Sequence, residues 1–376
     1  MIDRLLVLLF LGVLVLPGLV QLGFAAADRT PEVLAAENRR PAPWPDAREA
    51  ASVRELTSDL EAWASDRVGF RDALLGLHGS IRDELGLVNA GDEAVEGRDG
   101  WYFLSQGGRM QEDFEGRAPL STEDAADWAR RLGLVAAEAE APGVMFHVMI
   151  APDKQTVYPD RVSSAFRHAP ERTRRARLVP SLRAAGLDVT DAAPALLEAS
   201  EGDETLYHRT DTHWTARGAF VAYEDLMRDF RARGVEVPVV DEARLVEADR
   251  QAGWSGDLPP LIGRRNVTET LVRLRIEAAR PITRTQLGDS PDPTLQTVIL
   301  RGGPEDAPSL TLYGDSFATE MMPYLAQSFS RVTVLRRVDE LADLERLRAH
   351  PADIVLVELV ERMIGRPLTV TGTSEG

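Results

Sequence analysis

Four apolar runs, "GVMFHVMIAP" (143–152), "SLTLYGDS" (309–316), "RVTVLRR" (331–337) and "DIVLVELV" (353–360), most constrain what this chain can fold into. A strand that is apolar on both faces must be covered on both, which is the pattern of a parallel sheet between helical layers. The intervening stretches supply those helices: Thr122 to Glu140, Ala176 to Ala185, Ala192 to Ser200, a stripe of Ala219, Tyr223, Leu226, Met227 and Phe230, and segments running through Leu325 and Arg348. "LDVTD" (187–191) reads as a further short strand. The expected fold class is therefore α/β, a parallel sheet covered by helices. Residues 241–308 fit poorly, with "GWSGDLPPLIGRRN" and "GDSPDP" as loops around a strand pair, and predict an insertion.

Ahead of this body, Arg4 precedes an apolar run from Leu5 to Leu22 broken only by Gln21. That run is long enough to span hydrocarbon. It predicts an N-terminal transmembrane helix within residues 1–27, with a signal sequence cleaved after Ala25-Ala26-Ala27 as the alternative. Either reading exports the bulk of the chain, because the positive-inside bias leaves Arg4 in the cytoplasm. Residues 28–51, with "RRPAPWPDAR", read as an extended linker. Apolar residues from Leu56 to Ile81 recur at helical spacing, and "GRDGWYFL" (97–104) reads as a Gly-bounded turn before an aromatic strand. The end, 366–376, reads as a disordered tail. A net charge of −17 argues against a nucleic-acid partner, which needs a broad basic surface. With no cysteine, thiolate metal sites and cysteine nucleophiles are excluded.

Two segments could carry chemistry. In "LYGDSFA" (312–318) an apolar strand runs through Gly314, Asp315 and Ser316 into a helix, which presents Ser316 at the C-terminal end of a parallel strand beside free backbone N–H groups. A plain helix cap is the other use of Asp315 and Ser316. A serine nucleophile needs a base, and "YHRTDTHWTARGAF" (207–220) holds two of the six histidines. In extended backbone Asp211 and His213 point to the same side, so the carboxylate can orient the imidazole. Thr215 is a credible N-cap for the helix that follows. The same segment also allows a metal site of His208, Asp211 and His213, or a solvated polar turn.

Taken together and in order, "GRDGWYFL", "APDKQTVYP" (151–159), "TDTHWT" (210–215), "SGDLPPL" (255–261), "YGDSF" (313–317) and "DIVLVELVER" (353–362) resemble the alginate O-acetyltransferase family over about residues 52–365. The resemblance implies an SGNH-hydrolase-like domain in which the Asp-x-His element precedes the GDS element, the reverse of the usual order. It implies a triad of Ser316, His213 and Asp211, with no metal or cofactor, that moves an acetyl group through an acetyl-serine onto hydroxyls of an extracytoplasmic polysaccharide. It further implies a membrane-bound acyltransferase as acetyl donor. A carbohydrate acetylesterase and a non-catalytic scaffold of an export complex are the alternatives. The usual SGNH oxyanion set includes an asparagine, and Asn38, Asn89 and Asn266 lie in no matching motif. Beyond the Ser316 backbone, the oxyanion and substrate candidates are Asp315, Tyr207, Arg362, Lys154 and Trp214. Lys154, the single lysine, ends a predicted strand and offers either substrate contact or a surface charge or salt bridge. Trp214 and Trp101 are candidates for sugar stacking or for buried packing, and the arginine-rich 160–177 for gripping an acidic polymer or for a solvated helix face.

Overall fold

The structure, a computed structural model, describes residues 93–139, 143–264, 266–277, 279–287, 297–336, 342–366 and 369–371, with the single positions 57, 60 and 63. The apolar run at 5–22, the linker and nearly all of the helical stretch expected over 52–87 lie outside the described residues. Among the described residues no helix is long and apolar enough to cross a membrane.

A short antiparallel hairpin comes first, β1 (Ala94–Glu96) and β2 (Tyr102–Leu104), turning at Gly100 with φ 74°. Two helices follow, α1 (Arg109–Phe114) and α2 (Thr122–Ala139), and then the central strand β3 (Met145–Ala151). Next come α3 (Lys154–Val157), α4 (Arg174–Ala184), β4 (Val189–Asp191), α5 (Ala193–Ala199) and α6 (Ala216–Ala232). An antiparallel ribbon, β5 (Leu245–Trp254) and β6 (Glu269–Ile276), brackets the short α7 (Leu258–Leu261). The remainder is β7 (Thr283–Leu287), β8 (Thr297–Arg301), β9 (Ser309–Gly314), α8 (Ala318–Ser328), β10 (Arg331–Arg336), β11 (Ala342–Asp343), α9 (Leu344–Ala349), β12 (Ile354–Val360) and β13 (Val370–Thr371).

Seven strands form one sheet in the order β4-β3-β12-β9-β10-β8-β7. The apolar runs explain the middle of it. On β3, Met149 and Ala151 join one core with Phe220, Tyr223 and Phe230 of α6, while Val148 and Ile150 join a second core with Trp128 and Leu132 of α2 and Leu178 of α4. On β12 the alternation repeats, with Leu356 in the first core and Val355, Val357 and Leu359 in the second. Every residue of β12 is buried, as a strand between two helical layers must be. The α6 stripe buries Ala219, Phe220, Tyr223, Leu226, Met227 and Phe230, each side chain worth roughly 1.5–3 kcal/mol when fully buried for the larger ones. Thr215 caps this helix, its hydroxyl accepting the Gly218 N–H at 3.2 Å.

Three expectations need correction. The sheet is mixed, since the β4-β3-β12-β9-β10 block is parallel but β8 runs antiparallel to β10. Residues 302–308 are too few for the crossover of about a dozen residues that a parallel strand needs, so β8 arrives reversed. Consequently the insertion does not extend to 308: β7 and β8 complete the central sheet, and the segment outside it is the β5/β6 ribbon with α7. Finally, part of the expected disordered tail is paired, as β13 lies parallel to β11.

Candidate active site

The Asp-x-His segment is the tip of a loop closed by one antiparallel bridge between Tyr207 and Trp214, both fully buried. Between these two large rings the residues turn sharply while staying half-buried or, at Thr210 and Thr212, buried. Asp211 and His213 meet through that turn and not through the extended alternation expected of them. Asp211 Oδ1 accepts the His213 backbone N–H at 2.9 Å and the Nδ1–H at 2.7 Å. An Asx turn folds the backbone so that carboxylate and ring share one bond pattern.

With the Asp211 carboxylate ionised, Nδ1 carries the proton, which leaves the Nε2 lone pair for Ser316. Ser316 Oγ lies 2.7 Å from that Nε2. Burial pushes the Asp211 carboxyl up, but its hydrogen bonds to His213 and the charge of that ring more than offset this and hold it at about 2. Ser316 follows the buried strand β9 and is exposed at the start of the turn into α8. Trp214 Nε1 donates to the Phe317 carbonyl at 3.0 Å, tying the two halves of the site together across the core.

The loop is held from three sides. Underneath, the buried Lys154 Nζ donates to the carbonyls of His208, Arg209 and Asp211 at 2.9, 3.2 and 2.8 Å. Burial lowers this amine to about 7, opposed by Asp211, Asp257 and Glu269. From the ribbon, Glu269 accepts the N–H groups of Arg209 and Thr210 at 3.1 and 2.8 Å and the Thr210 hydroxyl. Beside α7, Asp257 accepts the Thr212 N–H at 2.9 Å and hydroxyl at 3.0 Å, and its own N–H reaches Asp211 Oδ2 at 3.3 Å. Burial, then the neighbouring Asp211, raises the Asp257 carboxyl.

An open cleft of about 470 Å³ begins at Ser316 and His213. The ribbon contributes Trp254, Leu271 and Leu274 to its lining, and α8 contributes Thr319 and Glu320. The remaining sequence candidates lie differently than expected. Tyr207 Oη donates to the Pro152 carbonyl at 2.5 Å from a fully buried ring, so its hydroxyl is not an oxyanion donor. Arg362 Nη1 donates to Asp153 at 2.7 Å, and its guanidinium lies 4.8 Å over the Phe317 ring, bracing the residue after Ser316. Asp315 turns inward, accepting the N–H groups of Phe317 and Val360 at 2.9 and 3.1 Å. Lys154 is neither a surface charge nor a substrate contact, and the rings of Trp214 and Trp101 are buried rather than free to stack on sugar. The metal triplet does not assemble as expected: the His208 ring packs 4.9 Å from Trp254 while both His213 nitrogens are engaged by Asp211 and Ser316. Asp257, Glu269 and Trp254 escaped the sequence reading. Asp257 and Trp254 lay inside the quoted "GWSGDLPPLIGRRN", but Glu269 had no signal.

The mixed α/β sheet thus sets a serine, a histidine and an aspartate in one hydrogen-bonded line, the arrangement in which a base and its orienter can activate a hydroxyl. The chain belongs to the family described as SGNH hydrolase-like domain, acetyltransferase AlgX, whose model matches residues 94–338. The probable alginate O-acetylase AlgJ of Pseudomonas aeruginosa is 29% identical over 137 residues, which is 36% of this chain and 33% of that protein. The chain thus matches about a third of the length of that curated relative. Among solved structures, a DHHW family protein from Eubacterium siraeum aligns with a TM-score of 0.54 at 15% identity, over 74% of this chain and 94% of that one. Bacillus cereus PatB1 with a sulfonyl adduct aligns at 0.53 and 13% identity, over 74% and 97%. Both share the fold.

Proposed function

We propose that this chain is an exported polysaccharide O-acetyltransferase in which Ser316, His213 and Asp211 act as a catalytic triad. The observation that carries the reading is the unbroken line from Asp211 Oδ1 through the His213 ring to Ser316 Oγ, opening on the cleft. Ser316 Oγ attacks the carbonyl carbon of an acetyl donor as its proton passes to His213 Nε2. The tetrahedral adduct collapses, the donor's leaving group departs with that proton, and acetyl-Ser316 remains. A sugar hydroxyl then enters the cleft, gives its proton to His213 and attacks the ester; Ser316 leaves and takes the proton back. Asp211 keeps Nδ1 protonated and stabilises the imidazolium of both half-reactions. The backbone N–H of Ser316 is the first oxyanion donor, at the turn into α8.

The acetyl donor is a membrane-bound acyltransferase that brings acetyl groups across the bilayer. The apolar run at 5–22 holds the body on the extracytoplasmic face, periplasmic or at the cell surface. Water in place of the sugar hydroxyl would make the same machinery a carbohydrate acetylesterase, and an idle site would leave a scaffold.

The test is p-nitrophenyl acetate with the full-length chain, with and without polysaccharide. Nitrophenol release that falls at least about 10³-fold in Ser316→Ala, with acetyl ester appearing on the polymer, supports transfer. Free acetate alone selects the esterase, and no release the scaffold.

A further inference from the structure

The backbone of the Asp-x-His loop is laced between one cation and three carboxylates. Its carbonyls turn inward: Lys154 Nζ donates to those of His208, Arg209 and Asp211 at 2.9, 3.2 and 2.8 Å, and the backbone N–H groups of Tyr102 and Leu258 donate to those of Arg209 and Thr210 at 2.8 and 3.1 Å. Its N–H groups go to the anions, those of Arg209 and Thr210 to Glu269, that of Thr212 to Asp257 and that of His213 to Asp211. An ammonium has three N–H donors and no acceptor, so three carbonyls converging on one point match it and use it up. Among the described residues no carboxylate is bonded to Nζ, and the buried lysine therefore serves the backbone of the loop that carries His213 rather than one half of a salt bridge.

Charge matters here as well as reach. A neutral amine keeps two N–H groups and gains a lone pair, which would face a carbonyl oxygen in a buried site and leave that oxygen without its donor. Around Nζ stand Asp211 in the loop, Asp257 beside α7 and Glu269 in the ribbon, all of which favour the proton. The hairpin adds the rings of Trp101 and Phe103, centred 5.8 and 5.3 Å away, whose faces suit a cation. His208 is the remaining titratable neighbour, and burial disfavours its own protonation. Burial outweighs the three carboxylates at Lys154 and brings the amine down to about 7, so its proton can leave near neutrality. Once it leaves, one of the three ties is lost, and Asp211, whose carbonyl is held by Lys154 and whose carboxylate holds His213, is the residue through which the slack reaches the triad.

On the reading that Ser316 is acylated, we propose that Lys154 is the positioning residue of the triad: its ammonium, acting through three loop carbonyls, keeps Asp211 and His213 in line with Ser316, and the enzyme is competent only while that ammonium holds its proton. Lys154 is the chain's single lysine, so the full-length protein isotopically labelled at the lysine ε-carbon gives one NMR signal, whose shift reports this proton directly. The kcat for p-nitrophenyl acetate, with the rate of Ser316→Ala subtracted at each pH, is followed over the same range. Wild-type kcat should fall as pH rises through about 7, with the midpoint of the lysine signal. In Lys154→Met, kcat at about pH 6 should be at least about tenfold lower, KM should change less, and the alkaline fall should be gone. A kcat that holds while the lysine loses its proton, a fall while the lysine stays charged, a lysine signal that does not shift below about pH 9, or wild-type turnover in Lys154→Met overturns the proposal. Should Lys154→Met fail to fold, as calorimetry will show, the two wild-type curves decide alone. The underlying reading fails separately, if nitrophenol release is absent at every pH or survives Ser316→Ala.

Discussion

One oxygen of Asp211 accepts both the backbone and the ring N–H of His213, so a single carboxylate sets the loop's conformation and the ring's tautomer together. Asp211→Asn keeps the shape but can present an N–H where an acceptor is needed. Its turnover should fall by on the order of 10³–10⁴-fold and its thermal midpoint should drop as well, since the ionised carboxylate's hold on His213 is lost, as nitrophenol release and calorimetry will show. Because the Asp211 carboxyl is lowered from 3.8 to about 2, its contribution to stability is complete above 3.8 and is lost as pH falls from there through 2. The juxtaposition of Ser316, His213 and Asp211 was legible in the sequence because histidine is scarce, six in the chain, and the serine and the Asp-x-His pair each sit in a recognisable local pattern. Asp315 keeps the local, cap-like bond to the Phe317 N–H that was one of its two readings, whereas Lys154, Tyr207 and Arg362 were identified as notable residues but given the wrong work. Their partners lie far along the chain, as with Lys154 and the carbonyls of residues 208–211, and no local pattern records a long-range hydrogen bond.

At the scale of elements, the β5/β6 ribbon is both a wall of the cleft and a brace for the loop. The strand that brings Leu271 and Leu274 to the cleft also brings Glu269 to Arg209 and Thr210. Where the ribbon turns towards α7, Gly256 passes so close that an added Cβ would sit 2.4 Å from the Thr210 carbonyl and 2.6 Å from Asp211 Cβ. Gly256→Ala must therefore shift the loop itself, and should lower turnover at least about tenfold while costing roughly 1–3 kcal/mol of stability, read by urea titration beside the kinetic assay. Glu269→Ala removes the acceptor of three loop donors and should cost about 1–3 kcal/mol, with a fall in turnover larger than the change in apparent substrate affinity. The strands of the parallel block were readable because burial on both faces writes an unbroken apolar run. β7 and the ribbon are half exposed or more, so their sequences alternate weakly and merged into one presumed insertion.

Across the whole molecule, one sheet carries two cores on its two faces, and a buried histidine on its central strand makes that arrangement sensitive to acid. His147 lies fully buried on β3, its Nε2–H donating to Thr190 Oγ1 at 2.7 Å, while that hydroxyl donates to Asp229. Burial lowers its pKa from 6.5 to about 4. The unfolded chain then binds the proton more readily, so stability is lost as pH falls from 6.5 through 4, by on the order of 3 kcal/mol. Denaturant midpoints across that window should slope steeply in the wild type and less in His147→Gln. The central claim, however, is that the acetyl group passes through Ser316, and acid-quenched mass spectrometry of the protein after brief exposure to p-nitrophenyl acetate tests it most directly. An acetyl ester on the peptide containing Ser316, discharged when an acceptor saccharide is added, is the expected result; an unmodified Ser316 during active turnover would contradict it.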